Sequence, residues 1–187
     1  MSDAMAQPAD EFAVSAARFK QAMSLLTAGV TVITSAEGDG APCGMTATAV
    51  CSLSADPPSL LVAVNRQTRT FQAIRNSRRF AVNLLHEEQR GIADRFAAHA
   101  DSPAAAAAQF LDGGLWRSRS DGVPVLQDAL ASFLCDVVQW SETKTHMVFF
   151  GLVRDIGTRE DAGPLLYGFR DYQRLAVASV ETREARA

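Results

Sequence analysis

Apolar residues recur along this chain at two spacings, and each spacing predicts a different kind of element. From Ser15 to Ala28, Phe19, Met23 and Leu26 fall with Ala16 and Ala22 on one helical face, with Ser15 placed as N-cap and Gly29 as the stop. "VTVITS" (30–35) reads as a strand, and "EGDG" (37–40) as a hairpin turn, because Gly and Asp tolerate positive φ. The next stretch, "GMTATAVCSLSADPP", alternates. Thr46, Thr48, Ser52 and Ser54 share one face, interrupted by Val50, while Ala47, Ala49, Cys51 and Leu53 share the other. Pro57 and Pro58 turn the chain, and "LLVAVN" (60–65) is apolar throughout, which predicts a strand buried on both faces.

Beyond this point Thr70 is placed to cap a short helix through Asn76, "RRFAVNLL" (78–85) reads as strand, and a helix follows from about Glu87 to Ala98. "DSPAAAAAQFL" (101–111) offers Ser102 as a cap and Pro103 at the first helical position of a short surface helix. Further strands are expected over 130–140, 146–155 and 165–169. Residues 1–12 read as a loose tail and 179–187 as a frayed end, leaving one domain over 13–178. Many strands with few, short helices predict a mainly β fold, a barrel with helices packed outside it, and not an alternating βαβ sheet.

Composition narrows the function. The 187 residues are 48% hydrophobic and 21% charged, the balance of a globular domain. A net charge of −3 gives no electrostatic case for nucleic acid or an anionic membrane. The longest apolar runs, such as Leu60 to Val64, are too short to span a bilayer, and the first residues lack the basic start and apolar block of a signal peptide. A cytoplasmic protein is expected. Cys43, Cys51 and Cys135 form no C-x-x-C spacing and read as reduced thiols in buried, small apolar roles. His86, His99 and His146 show no metal-ligand spacing, so no metal is expected. The G-x-S-x-G, P-loop and G-x-G-x-x-G patterns are all missing from the sequence.

Four clusters remain as candidate chemistry. The hydroxyl row at Thr46 to Ser54 is either the wet side of an edge strand or a set of donors for a planar, acceptor-rich ring. "NRQTRT" (65–70) leads from a strand into a helix start, where Arg66, Thr68, Arg69 and Thr70 either hold a phosphate or form a capped, solvated loop. Asn83, inside an apolar run, either bonds neighbouring backbone or faces a ligand. His146 at a strand start, and Tyr167, Phe169 and Tyr172 beside Arg170 and Arg174, are either structural or a ring-stacking, phosphate-pairing group. No nucleophile with its base appears. Hydride transfer between two bound nucleotides needs stacking and orientation more than a side-chain acid or base.

Taken in order, "FKQAMSLLTAGVTVITS", "GMTATAVCSLSADPPSLLVAVNRQTRTFQAIRNSRRFAVNLL", "GIADRFA", "ALASFLCDVVQWSETKTHMVFFGLV" and "PLLYGFRDYQRL" resemble the short-chain flavin reductases, the reductase components of two-component flavin monooxygenases. The resemblance covers roughly residues 16–177. It implies an FMN-binding split β-barrel, usually a homodimer, in which NADH or NADPH reduces FMN or FAD and the reduced flavin leaves for a partner monooxygenase. On this resemblance Thr46, Ala47, Thr48, Ala49, Cys51 and Ser52 lie along the flavin ring and its ribityl chain. Asn65, Arg66 and Thr70 lie near the phosphate, Asn83 is the polar residue of the next strand, and Phe96 is an aromatic near the flavin. His146 is placed near the nicotinamide as the catalytic position, and Tyr172 and Arg174 match the C-terminal tyrosine and basic residue.

Two departures are visible. Thr46-Ala47-Thr48-Ala49 stands where the family often reads Thr-Ala-Asn-Ser, and Lys144-Thr145 stands where Gly-Asp often precedes the histidine. "TATAVCS" and "THMVFFG" look closer to the branch with the pyrimidine-degradation flavin reductase and the cobalamin-pathway reductases. A corrinoid or other small final acceptor, and a non-catalytic flavin-binding module, are the rival readings.

Overall fold

In the computed structural model, which describes residues 14–98, 100, 102–111 and 114–175, the alternating stretch is two strands and not one. The chain runs α1 (Ala16–Met23), β1 (Ala28–Gly29), β2 (Thr31–Ala36), β3 (Pro42–Ala47), β4 (Val50–Ala55), β5 (Pro58–Asn65), α2 (Arg69–Ser77), β6 (Arg79–Leu84), α3 (Arg90–Ala97), α4 (Pro103–Ala108), β7 (Trp116–Ser118), β8 (Pro124–Leu126), β9 (Ala131–Glu142), β10 (His146–Thr158), β11 (Leu165–Gly168) and β12 (Asp171–Arg174).

Seven strands form one antiparallel sheet in the order β3-β2-β6-β9-β10-β5-β4. Its two edges, β3 and β4, are consecutive in sequence and joined only by Thr48 and Ala49. Three Cα steps from Ala47 to Val50 span at most about 11 Å, so the sheet curls until the end of one edge meets the start of the other. No ladder joins those edges, which leaves a barrel split along one seam. A smaller sheet, β1-β11-β12, docks on its end through Val30 N–H to Leu165 O, Leu85 N–H to Val30 O and Leu165 N–H to Leu85 O, each 2.9 Å.

All six residues of β2 are buried, because its two faces serve two different cores. Ile33 joins Val62, Val64, Phe80, Val82 and Phe149, into which α2 packs Phe71 and Ile74. Val32 joins Leu85, Leu126 and Leu165, into which α3 packs Ile92 and Phe96. Gly151 marks the tightest approach: a Cβ there would lie 2.5 Å from the Phe80 ring and 2.9 Å from Cys135 Cβ.

Several boundaries differ from the sequence pattern, each for a tertiary reason. Ser15 caps α1, accepting from Arg18 N–H at 3.3 Å, but the helix ends at Met23, not at Gly29. Ala28 and Gly29 instead pair with Tyr167 and Leu166, so strand pairing overrides helix propensity there. α1 buries none of its residues. Thr68, not Thr70, caps α2, accepting from Phe71 N–H at 3.1 Å. β5 is fully buried only at Leu60, Val62 and Val64; Leu61 and Ala63, on its other face, are half-covered. Residues 87–89 form a turn, and α3 starts at Arg90. The β7–β8 hairpin and β12 are three- and four-residue strands too short to show a period. Ser102 and Pro103 begin α4 as the sequence indicates. The tail readings at 1–12 and 179–187 lie outside the described residues.

Candidate functional site

The seam between β3 and β4 is where backbone polarity is left over. Ala47 ends β3 with its carbonyl accepting from Thr31 Oγ1 at 2.7 Å, and Thr46 Oγ1 donates to Ala93 O on α3 at 2.7 Å. The carbonyls of Thr48 and Ala49 accept from Val50 and Ala63 N–H, each at 3.0 Å. Their own amides donate to no protein acceptor among the described residues, and both residues are exposed. Unpaired donors at an irregular strand break are free to bind an acceptor-bearing ligand.

Thr48, with Ala49 next to it in the chain, borders a groove of about 370 Å³ lined by Val30, Thr46, Ala47, Thr48, Ala97, Tyr167 and Tyr172. The two tyrosines, opposite each other across β11–β12, meet edge to face with centroids 5.4 Å apart. The Arg90 guanidinium lies 5.0 Å from the Tyr172 ring centre and 3.7 Å from Asp94 of its own helix. Burial, with the Asp94 carboxylate as hydrogen-bond partner and neighbouring charge, pushes the Tyr172 phenol up to about 12. The ring is therefore a neutral, oriented wall of the groove throughout the physiological range.

Strand register brings a second group to the same end of the sheet. Ala49, Ala63 and Val148 lie in one row across β4, β5 and β10, and Asn65 and His146 pair two residues further along. The His146 backbone is held by Thr143, whose hydroxyl accepts from His146 N–H at 3.1 Å and donates to His146 O at 2.8 Å. Its Nδ1 lies 2.9 Å from Thr145 Oγ1. Asn65 Oδ1 accepts from Gln67 N–H at 3.0 Å, and Arg66 N–H donates to Thr145 O at 3.0 Å. The Arg66 guanidinium reaches Glu142 at 2.7 Å and Thr143 O at 3.3 Å. The loop after β5 and the turn before β10 are thus one interlocked unit.

Not every residue singled out in the sequence shares this environment. Asn83 is fully buried: Nδ2 donates to Val32 O at 3.0 Å and lies 3.3 Å from Thr34 Oγ1, and Oδ1 accepts from Leu126 N–H at 2.9 Å. Its amide is spent joining β6 to β2 and β8. Phe96 is buried in an aromatic cluster, 4.9 Å from Phe110 and 5.2 Å from Trp116, and is turned toward Gly44 of β3. Thr70, in the first turn of α2, is buried and lines a separate cavity together with Thr46 and Phe96. Cys51 and Ser52 are exposed on the edge strand β4, and Arg174 is exposed with Nε 3.8 Å from Glu87. Cys43 and Cys135 are buried thiols as expected; Cys51 is not. Val30, Arg90, Asp94 and Ala97 were not legible as site residues, although Arg90 and Asp94 stand four apart in one helix.

Comparison with known proteins gives a consistent picture. The family described as "Flavin reductase like domain" matches residues 23–176. The chain is 37% identical over 165 residues to "FMN reductase (NADH) RutF 1" of Methylorubrum extorquens, covering 88% of this chain and 79% of that protein. It is 36% identical over 157 residues to the 4-hydroxyphenylacetate 3-monooxygenase reductase component of Pseudomonas aeruginosa, covering 84% and 90%. Among solved structures, flavin reductase PheA2 in its native state superposes with a TM-score of 0.75 at 34% identity, covering 87% and 99%.

Proposed function

The chain belongs to the flavin reductase like family, and we propose that it transfers a hydride from a reduced nicotinamide nucleotide to FMN or FAD and supplies reduced flavin to a partner monooxygenase. The observation that carries this reading is the seam: two unpaired amides at Thr48 and Ala49 beside a groove walled by Tyr167 and Tyr172, with His146 at the same sheet end. These residues fit a flavin, whose pyrimidine edge is rich in acceptors and whose ring is flat. The bound flavin supplies a hydride-accepting N5.

The protein's own work is binding and orientation. Thr48 and Ala49 N–H would be the donors that hold the flavin's acceptor-rich edge and offset the negative charge a reduced flavin carries there. The neutral Tyr172 ring would close one side of the groove. His146 orients the nicotinamide and is not required to move a proton. A two-nucleotide hydride transfer gains its rate from holding the donor and acceptor atoms close and in line.

A second copy of the chain completes the site. α1 exposes Phe19 (59%) and Met23 (45%), Leu26 just beyond it is exposed as well (62%), and its C-cap Ser24 accepts from Phe169 N–H at 2.6 Å beside an equally exposed Phe169 ring. Apolar surface of this kind is covered in a stable homodimer. Among the described residues no helix is long and apolar enough to cross a membrane. The cytoplasm, which keeps thiols such as Cys51 reduced, is the compartment assigned.

The test is spectrophotometric. Purified protein with FMN or FAD is expected to oxidise NADH or NADPH at 340 nm far faster than flavin alone. No acceleration with any of the four combinations would falsify the reading.

A further inference from the structure

A second cleft, separate from the groove beside the seam, is lined with cations. About 360 Å³ in volume, it lies between the loop after β5, one face of α2 and the turn before β10. Arg66, Arg75 and Lys144 contribute side chains to its lining, with the amides of Gln67 and Gln72 and the hydroxyl of Thr145. No carboxylate lines it. Arg66 is already engaged by Glu142 at 2.7 Å. Arg75 and Lys144 have no ion-pair or hydrogen-bond partner among the described residues.

Two uncompensated cations at one concave site repel each other, and an anion between them relieves that repulsion. The polar residues lining the cleft are also rich in donors: three amides, a hydroxyl, two guanidinium groups and an ammonium. That set suits a phosphate, with its several acceptor oxygens and up to two charges, better than a single carboxylate. Its position matters as much. Thr145 and Lys144 immediately precede His146, and Asn65 pairs with His146 in register.

We propose that this cleft is a subsite for a phosphate on the adenosine half of a nucleotide bound at the neighbouring groove. The assignment rests on the flavin reductase reading above. Two such phosphates tell the nucleotides of that reaction apart, and the subsite holds one of them: the 2′-phosphate that distinguishes NADPH from NADH, or the adenylate phosphate that distinguishes FAD from FMN. Arg75 and Lys144 are then specificity residues that leave the hydride step itself untouched.

The experiment measures equilibrium binding of NADH, NADPH, FMN and FAD to the wild-type protein and to the R75Q/K144Q double variant, with turnover recorded beside it. Both residues lie on the surface, and R75K/K144R, which keeps the charges, controls for folding. A loss of about tenfold or more in NADPH affinity, with NADH within about twofold, assigns the cleft to the 2′-phosphate. A loss of that size for FAD, with FMN unchanged, assigns it to the adenylate phosphate. Equal shifts for both members of each pair, or no shift, overturn the subsite. Binding decides the subsite and turnover decides the activity, so wild-type protein that binds these nucleotides but oxidises neither NADH nor NADPH overturns the flavin reductase reading alone.

Discussion

At the scale of single residues, His146 and Asn83 look alike in the sequence, each a polar group bordering an apolar run, yet the structure gives them opposite surroundings. His146 is exposed at the end of a strand, with Thr145 Oγ1 2.9 Å from Nδ1 to orient its ring. His146→Ala is expected to raise KM for the nicotinamide nucleotide more than it weakens flavin binding; unchanged steady-state kinetics would remove His146 from the site. Asn83→Ala leaves Leu126 N–H without its buried acceptor and is expected to cost about 2–3 kcal/mol in denaturant unfolding. Its flavin affinity, measured on the remaining folded protein, should stay near wild type. The two buried thiols set an alkaline limit. Burial raises Cys43 and Cys135 from 9.0 to about 12, so both stay protonated in the fold while the unfolded chain ionises. Their contribution is fully present below pH 9 and is lost as pH rises from 9 to 12. The melting temperature should fall across that window, and a Cys43→Ala, Cys135→Ala variant should show a shallower decline.

At the scale of elements, the decisive feature is that one alternating stretch becomes two edge strands. Period-two alternation is satisfied equally by one long strand and by two short ones with a break, so Thr46 to Ser54 carries no signal for the seam. The break follows from closure, since β3 belongs beside β2 and β4 beside β5. Curling the sheet this tightly requires close approaches, and the register shift at Phe150/Gly151 is one of them. Gly151→Ala would push a methyl into Phe80 and Cys135 and should destabilise the protein by about 1–3 kcal/mol. Calorimetric unfolding checks it, and wild-type stability would mean that β10 relaxes outward at no cost.

For the whole molecule, α1 is the element that a single copy leaves unexplained. Its apolar residues have helical spacing, which normally marks a helix packed on its own core, but Phe19 and Met23, with Leu26 just beyond the helix, are exposed and none of its residues is buried among the described residues. A Phe19→Asp, Leu26→Asp variant is expected to shift the protein from dimer to monomer in sedimentation and to weaken flavin binding. A monomeric wild type, or a dimer that tolerates both charges, would put the interface elsewhere.

Hydrophobic period, caps and turn residues by themselves determined the mainly β class, the caps at Ser15 and Ser102, the positions of β2, β5, β6, β9, β10 and β11 and the order of the candidate clusters, because each depends on neighbours a few residues away. The resemblance of ordered blocks pointed to flavin and nicotinamide chemistry before any contact was visible. Only the tertiary structure decided that β3 and β4 are the opposite edges of one curled sheet, that Thr48 and Ala49 keep free amides where they meet, and that Asn83 turns inward. It alone brought Arg75 of α2 and Lys144 of a distant turn to one cleft. Those outcomes depend on which strands pair and how tightly the sheet curls, and chain closure over tens of residues leaves no local periodic trace.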